Sequence, residues 1–537
     1  MTNPVETLTG VTHPSVPELF SARVRQTPDA LFLRHEGRTW SYTDALAEIQ
    51  SVAGWLPSVG DSPARVAGFL PNRPEAVWAW LGTLYAGAAY VSLHRAHRGA
   101  VLHDMITRSK AEVLVTDAEG LADLPDLAGT AVHTVVVAGD WSGEHRLQSV
   151  VVGWDRAAAD ATPGHTSEPV RDGAAIAGII YTSGTTGRSK AVPLQHSHLT
   201  RGAGWVCDTL GLTGADVLHM WMPLYHIAGQ LDALLAIVVA GGSVAQYPTF
   251  SASKFWDQVA ESGATVFGGF TNVLEILSSS DAPPDGATLR VGVAGGIPPA
   301  LHRPLEERLG VRLYDVYGMT EAEPILLPPS GERVPPGSCG RPNPDLTVAL
   351  LDADGNRCPT GTVGEISVRA NIPGVMTPGY DGDDAAWRAA TTDGWFRTGD
   401  FARQDSDGYF FFVDRVKHAI RRRGENVSSW ELEQIVGGHP GVEECCAVGV
   451  PAALGGHDIK LVVAPTYGID LDPAELSRWC TEHMAAFMRP RYIEIVTDLP
   501  RNDVGKVLKT ELSGLGATVW DSDAESEHQT TRLRVES

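Results

Sequence analysis

Cysteine is scarce in this chain of 537 residues: Cys207, Cys339, Cys358, Cys445, Cys446 and Cys480 are the only six, and no two form a C-x-x-C pair. That argues against a disulfide framework and offers no zinc pattern, so the expectation is buried, reduced thiols in a cytoplasmic protein. Long hydrophobic runs are also missing. The longest, such as 234–240, fall well short of the roughly 18 apolar residues that suggest a membrane span, and the opening MTNPVETLTG has neither the basic start nor the apolar core of a secretory signal. Basic charge is in deficit, since 42 Lys and Arg stand against 65 Asp and Glu for a formal charge of −23. Nucleic acid and an anionic membrane are therefore not expected as partners, and any anionic ligand must be held locally. His94, His97 and His103 lack a partnering carboxylate motif and read as loop and helix-face residues rather than metal ligands.

What is present is ordinary globular material, 43% apolar and 20% charged, in a length that predicts three or four folding units. Short β-branched runs (111–116, 132–138) alternate with helical segments such as 75–85, and the runs show no clear polar face. Strands of that kind belong to sheets covered on both sides, which gives an α/β design with a large N-terminal region. From about residue 335 to 416 Pro and Gly become frequent and strand-like pieces (347–351, 364–369, 408–413) alternate with turn signals, as in a β subdomain. After Arg415 the pattern resets into a small α+β unit with helices over 430–436 and 473–487 and strands over 444–450, 460–464 and 492–496. The expected domains are thus 1–416, 417–515 and a polar tail over 516–537.

The segment YTSGTTGRSK, residues 181–190, follows the apolar run 174–180. Glycines let backbone N–H groups converge on an anion, hydroxyls add donors and a lysine adds charge, so the composition is that of a phosphate cradle; a solvated turn has the same composition. Arg188 and Ser189 separate Gly187 from Lys190, which rules out a Walker A loop.

Seven segments decide between these readings: the loop with AVPLQHSHL, then MPLYHIAG (222–229), VAGGIPP (293–299), YGMTEAEP (317–324), DGWFRTGD (393–400), the stretch 408–436, and LPRNDVGKVLKTEL (499–512). In that order and spacing the chain resembles the adenylate-forming enzymes, a superfamily of acyl-CoA synthetases, adenylation domains and luciferases. FSASKFWDQV, GENVSSWELE and YIEIVTDLPRN look most like its crotonobetaine/carnitine-CoA ligase branch. The resemblance implies an enzyme, an AMP-forming acid-thiol ligase: a carboxylic acid attacks ATP to give an acyl-adenylate and pyrophosphate, and the acyl group then passes to coenzyme A. ATP, Mg²⁺ and coenzyme A are the implied cofactors, and the small acid is the partner; the oligomeric state is left open.

The resemblance also implies roles. Thr182, Ser183, Gly184, Thr185, Thr186, Gly187 and Lys190 match the loop that holds the outgoing phosphates. Tyr317 matches the adenine-stacking position, with Gly295 and Gly296 beside it. Thr320 matches the α-phosphate contact and Glu321 the magnesium ligand. Asp400 and Arg415 match the ribose-binding pair, Lys417 the hinge, and Lys506 the lysine that neutralises charge between the carboxylate and the α-phosphate. His226 matches the aromatic gate, and Tyr225, Gly229, Phe270, Met319 and Glu323 the acyl pocket, for which an aromatic acid and a cationic acyl group are both open. Arg423 replaces a glycine in a basic cluster, Arg421 to Arg423, that reads as a solvated face, as a holder of coenzyme A phosphates, or as a feature that crowds the tunnel so that another acceptor is used. Rival readings are adenylation with another acid or acceptor (a carrier-protein thiol, an amine, or nitrite as in diazo formation) and a silent nucleotide-binding scaffold.

Overall fold

A computed structural model describes residues 2–59, 64–159, 171–182, 188–280, 283–284, 286–297, 299–352, 354–415, 420–422, 425–427, 429–452, 456–500, 507, 509–516 and 518–524. These divide into two compact units. The larger comprises Met1–Arg95, His103–Thr182 and Ala191–Val416; the smaller holds the chain from Lys417 on together with Ala96–Leu102 and Ser183–Lys190.

The larger unit carries the alternation seen in the sequence. One seven-stranded sheet runs in the order Arg312–Asp315, Val291–Gly295, Val266–Phe270, Val217–Met220, Ser243–Gln246, Leu31–His35 and Arg38–Ser41, and only the last pair is antiparallel. The second runs Val150–Gly153, Thr134–Ala138, Val113–Asp117, Arg65–Phe69, Ala89–Ser92, Ile176–Thr182 and Lys190–Gln195, parallel throughout its first six strands. Val113–Asp117 and Thr134–Ala138 are buried at every position, as parallel strands covered on both faces must be. Phe32, Leu33 and Val244 of one sheet share a core with Val66, Val113 and Val136 of the other. That common core is why these two sheets fall in one compact unit instead of two.

Helices Val16–Gln26, Tyr42–Val59, Pro74–Tyr85 and His196–Leu210 border this core. The first opens with a capping box: the Glu18 N–H donates to Ser15 Oγ at 3.1 Å, and the Ser15 N–H to Glu18 Oε2 at 2.9 Å. The β subdomain is present as an antiparallel sheet in which Val363–Ala370 lies between Leu346–Leu351 and Trp395–Gln404, and Phe410–Arg415 pairs with the latter. A smaller antiparallel set, Tyr317–Met319, Ala322–Leu327 and Arg341–Pro342, begins at the YGMTEAEP segment.

The smaller unit is α+β. Its sheet orders Val442–Pro451, His457–Pro465, Tyr492–Ile495 and Trp520–Asp521, with Leu432 and Val436 of helix Ser429–Gly437 and Leu476 and Cys480 of helix Pro473–His483 in its core. Two expectations change here. The second helix stops at His483, where Met484 turns extended so that Met484, Ala485 and Met488 can enter the core; tertiary burial overrides the helical pattern that runs on to 487. The tail is ordered in part, because Ile493 pairs with Trp520 and Asp521 takes the Arg491 guanidinium at 3.1 Å on each oxygen. Within this unit Arg422 belongs to no solvated face: it is 8% exposed, donates to the carbonyls of Phe487 and Arg489, and lies 3.5 Å from Asp458. Arg423 is outside the described residues.

Candidate active site

The expected nucleotide-binding residues of the larger unit gather where strand Val291–Gly295 ends. Asp315 fixes that turn by accepting the N–H groups of Gly296 and Ile297, each at 2.9 Å, and Gly296 takes φ +78°, a left-handed conformation that suits glycine. The chain then turns into Tyr317, whose hydroxyl donates to Asp400 Oδ2 at 2.9 Å. Asp400 is 3% exposed, and its backbone pairs directly with Arg415 across the antiparallel ladder. Parallel register also sets Phe270 beside Gly295. Residues from 270 to 415 are thereby brought to one edge: Phe270, Gly295, Gly296, Tyr317, Asp400 and the Arg415 backbone.

Thr320 and Glu321 follow on the turn between Tyr317–Met319 and Ala322–Leu327, and both are buried. Glu321 Oε1 accepts from the Tyr380 hydroxyl at 2.7 Å, and its carbonyl accepts from Thr377 N at 2.8 Å. Burial and the facing Glu321 carboxylate both push the Tyr380 hydroxyl far above its ordinary pKa, so it stays a donor.

The expected acyl pocket is built on a turn and a stretch of wide π-helix. Asn72 holds the turn: its amide donates to the carbonyls of Trp221 at 3.0 Å and Met222 at 2.9 Å, and its oxygen accepts from Leu224 N at 3.1 Å. His226 Nδ1 accepts the Ala228 N–H at 3.2 Å, which leaves the ring proton on Nε2, and its ring stands at 81° to Phe270 with centroids 5.7 Å apart. Trp221 reaches the same Phe270 at 6.2 Å, and Tyr225 lies on His94 at 4.0 Å. The π-helix Ala228–Leu235 starts here, and a Cβ on Gly229 would fall 2.1 Å from the Pro223 carbonyl oxygen. Glycine at 229 is therefore what lets the turn fold onto the helix. Met319 is half-buried against the cluster of Ala322 and Ile325.

Other expected residues are placed in part or not at all. Thr182 ends its strand and Lys190 opens the next. Ser183, Gly184, Thr185, Thr186, Gly187, Lys417 and Lys506 lie outside the described residues, and of Arg415 only the backbone is described.

The AMP-binding enzyme family model matches residues 20–380, and that for the AMP-binding enzyme C-terminal domain matches 431–506. The chain belongs to the AMP-binding enzymes. Among the curated relatives of this AMP-binding enzyme is a crotonobetaine/carnitine-CoA ligase of Salmonella heidelberg, 32% identical over 492 residues, 88% of this chain and 93% of the relative. Another is a sulfoacetate-CoA ligase of Cupriavidus necator, 31% identical over 506 residues, 92% of this chain and 96% of the relative. Among solved structures, the amide bond synthetase McbA of Marinactinospora thermotolerans superposes with a TM-score of 0.80 at 25% identity, covering 92% of this chain and 99% of that one.

For magnesium, this AMP-binding enzyme offers one buried carboxylate, Glu321, with one oxygen engaged by Tyr380. Among the described residues no group of three or more His, Cys, Asp or Glu could hold a metal by itself. That suits an ion taken by a single carboxylate together with nucleotide phosphates, the usual way Mg²⁺ is held in such sites. No helix among the described residues is long and apolar enough to cross a membrane.

Four polar residues of the site escaped the sequence reading. Asn72 and Tyr380 lie outside the motifs. Gln230, whose amide donates to Ser92 Oγ at 2.9 Å and the Leu224 carbonyl at 2.7 Å, and Asp232 follow on the π-helix. The signal for Asp232 was available: it is an isolated acid in the apolar stretch 231–240.

Proposed function

We propose that this AMP-binding enzyme is an AMP-forming acid-thiol ligase. A substrate carboxylate oxygen attacks the α-phosphorus of ATP, the bond to the bridging oxygen breaks, and pyrophosphate leaves with the electron pair. The thiol sulfur of coenzyme A then attacks the acyl carbon, releasing AMP and a proton to solvent.

The observation that carries this reading is the Tyr317–Asp400 hydrogen bond beside Gly295 and Gly296, a flat ring tied to a buried carboxylate at a glycine turn. Such a ring presents a face to adenine, and Asp400 is an acceptor for ribose hydroxyls, with Arg415 on the paired strand. Glu321 would hold Mg²⁺, which when bound offsets phosphate charge, and Thr320 donates to the α-phosphate. Thr182 to Gly187 and Lys190 cradle the leaving phosphates. His226 gates the acyl pocket formed by Tyr225, Phe270, Met319 and Glu323. Lys417 is the hinge for the C-terminal domain 417–515, and Lys506 neutralises charge at the reacting oxygen.

The test is pyrophosphate release with MgATP and a panel of acids, each with and without coenzyme A, read together with product masses. A thioester mass from one acid, with turnover dependent on coenzyme A, is the expected result. Adenylation that ignores coenzyme A but yields an amide with added amines would replace the thiol by another acceptor; no pyrophosphate from any acid would remove the ligase reading. Lys506→Ala should slow pyrophosphate release roughly 100-fold or more while ATP binding persists, since its charge is needed in the transition state.

A further inference from the structure

Among the described residues, the carboxylates of Glu323 and Asp232 in the larger unit have no positive partner. Glu323 is 8% exposed, and among the described residues its side chain takes part in no hydrogen bond or ion pair. Asp232, on the π-helix of the same unit, is half-buried, so part of its side chain keeps accessible surface. Its Oδ1 is sealed from water and has no hydrogen-bond partner.

The fold brings the pair together. On helix His196–Leu210, a Cβ at Gly202 would fall 2.7 Å from both the Glu323 carbonyl oxygen and Leu231 Cδ1, so that glycine is where the π-helix and the Ala322–Leu327 strand close in. A Cβ at Gly318 would fall 2.4 Å from Glu323 Oε2, so a second glycine makes room for the carboxylate itself. The base in contact with this strand cannot balance the charge: His198 Nε2 accepts the Glu323 N–H at 3.0 Å, and burial lowers the His198 pKa to about 4. Burial raises both acids, Asp232 to about 8, and the Asp232 carboxylate pushes Glu323 up further. Two carboxylates in a low-dielectric site without donors are costly unless a cation enters.

We infer that Asp232 and Glu323 bind a protonated amine on the acyl portion of the acid substrate, so that the enzyme activates an amine-bearing carboxylic acid. This deepens the ligase reading and rests on it for the place of the pocket. Unpartnered acceptor oxygens call for N–H donors, so a primary or secondary ammonium fits better than a quaternary one. The π-helix supplies the geometry, since its wider turn starts at the gate residue's loop and carries Asp232 toward Glu323.

The test compares matched acids: 4-(aminomethyl)benzoate and 5-aminopentanoate, their N-trimethyl derivatives, and the neutral isosteres 4-ethylbenzoate and hexanoate. Pyrophosphate release and calorimetric binding are measured for the wild type, Asp232→Asn, Glu323→Gln and the double variant, with thermal denaturation to show that each variant folds. The expected preference for amine over neutral isostere is on the order of 100-fold in kcat/KM, falling to about tenfold or less in either single variant and vanishing in the double one. A neutral or anionic acid preferred by the wild type, or a preference for the amine that survives the double variant, would overturn the assignment. Binding of the amine without pyrophosphate from any acid would keep the assignment and remove the ligase reading instead.

Discussion

Asp345 and Glu323 are carboxylates of the larger unit with similar exposure, 6% and 8%, and opposite surroundings. Asp345 accepts Arg201 Nε at 2.7 Å, Arg201 Nη2 at 2.8 Å and Trp205 Nε1 at 2.8 Å, while Arg201 also pairs with Glu6. Among the described residues the Glu323 side chain has no donor, and the charged group acting on it is the raised acid Asp232. The first site is complete within the chain and ties helix His196–Leu210 to the β region. The second is incomplete, and a buried acid without a counter-ion is a cost that stability alone does not explain. The contrast separates a carboxylate that holds the fold from one that waits for a ligand.

The comparison can be broken most forcefully at its satisfied end. Asp345→Ala strips the buried Arg201 of its two-bond partner, leaving Glu6 at one nitrogen as its remaining carboxylate, and removes the acceptor of Trp205 Nε1, so it should destabilise the larger unit by about 3 kcal/mol, read as a lower denaturation midpoint in urea. A loss below about 1 kcal/mol would show that Arg201 finds other partners.

A smaller effect is expected at Asp216, which accepts Arg290 Nε at 2.7 Å, Thr265 Oγ1 at 2.7 Å and Thr213 N at 2.8 Å. Asp216→Asn should cost roughly 1 to 3 kcal/mol near neutral pH. Burial alone would raise this carboxyl, but its hydrogen bonds and the Arg290 guanidinium hold it below the ordinary range. Its contribution is therefore present above the unfolded pKa and lost as pH falls through the folded one. The deficit of the variant should shrink in acid, and stability measured from pH 7 to pH 3 checks it.

Asp232→Asn should have the smallest effect on stability and the opposite sign, a gain on the order of 1 kcal/mol at most pH values above neutrality. Burial moves the folded pKa from its ordinary value of 3.8 to about 8. Between those values the unfolded chain has released a proton that the folded chain keeps, so wild-type stability falls as pH rises. The advantage of the variant should widen across that window in paired thermal melts and level off above it. A variant less stable at every pH would place Asp232 with Asp345 as a fold-holding acid.

Much of this was legible in residues. The runs at 113–117 and 134–138 announced buried parallel strands because β-branched side chains on both faces have few other uses, and the motifs at 293–299, 317–324 and 393–400 named residues that the fold gathers at one edge. Asn72 was not legible, because its hydrogen bonds are to backbone groups 149 to 175 positions away. Asp232 was visible as a lone acid in an apolar stretch, but its place was not: the local widening at Ala228–Leu235 has no signature in hydrophobic spacing. The end of the helix at His483 hid for a related reason, since only the finished core shows where Met484 and Met488 are needed.

The short strand Trp520–Asp521 bears on handling the protein. It covers the outer edge of Tyr492–Ile495, and Arg491 clamps it through Asp521, while the buried Lys460 ammonium donates to the Leu512 carbonyl at 2.9 Å. A chain shortened to residue 515 would keep the lysine contact and strip the edge, leaving unpaired N–H and C=O groups open to another molecule. Such a truncation should drive self-association through the smaller unit, so a boundary drawn by polarity alone would turn an edge that the chain caps for itself into an aggregation seam.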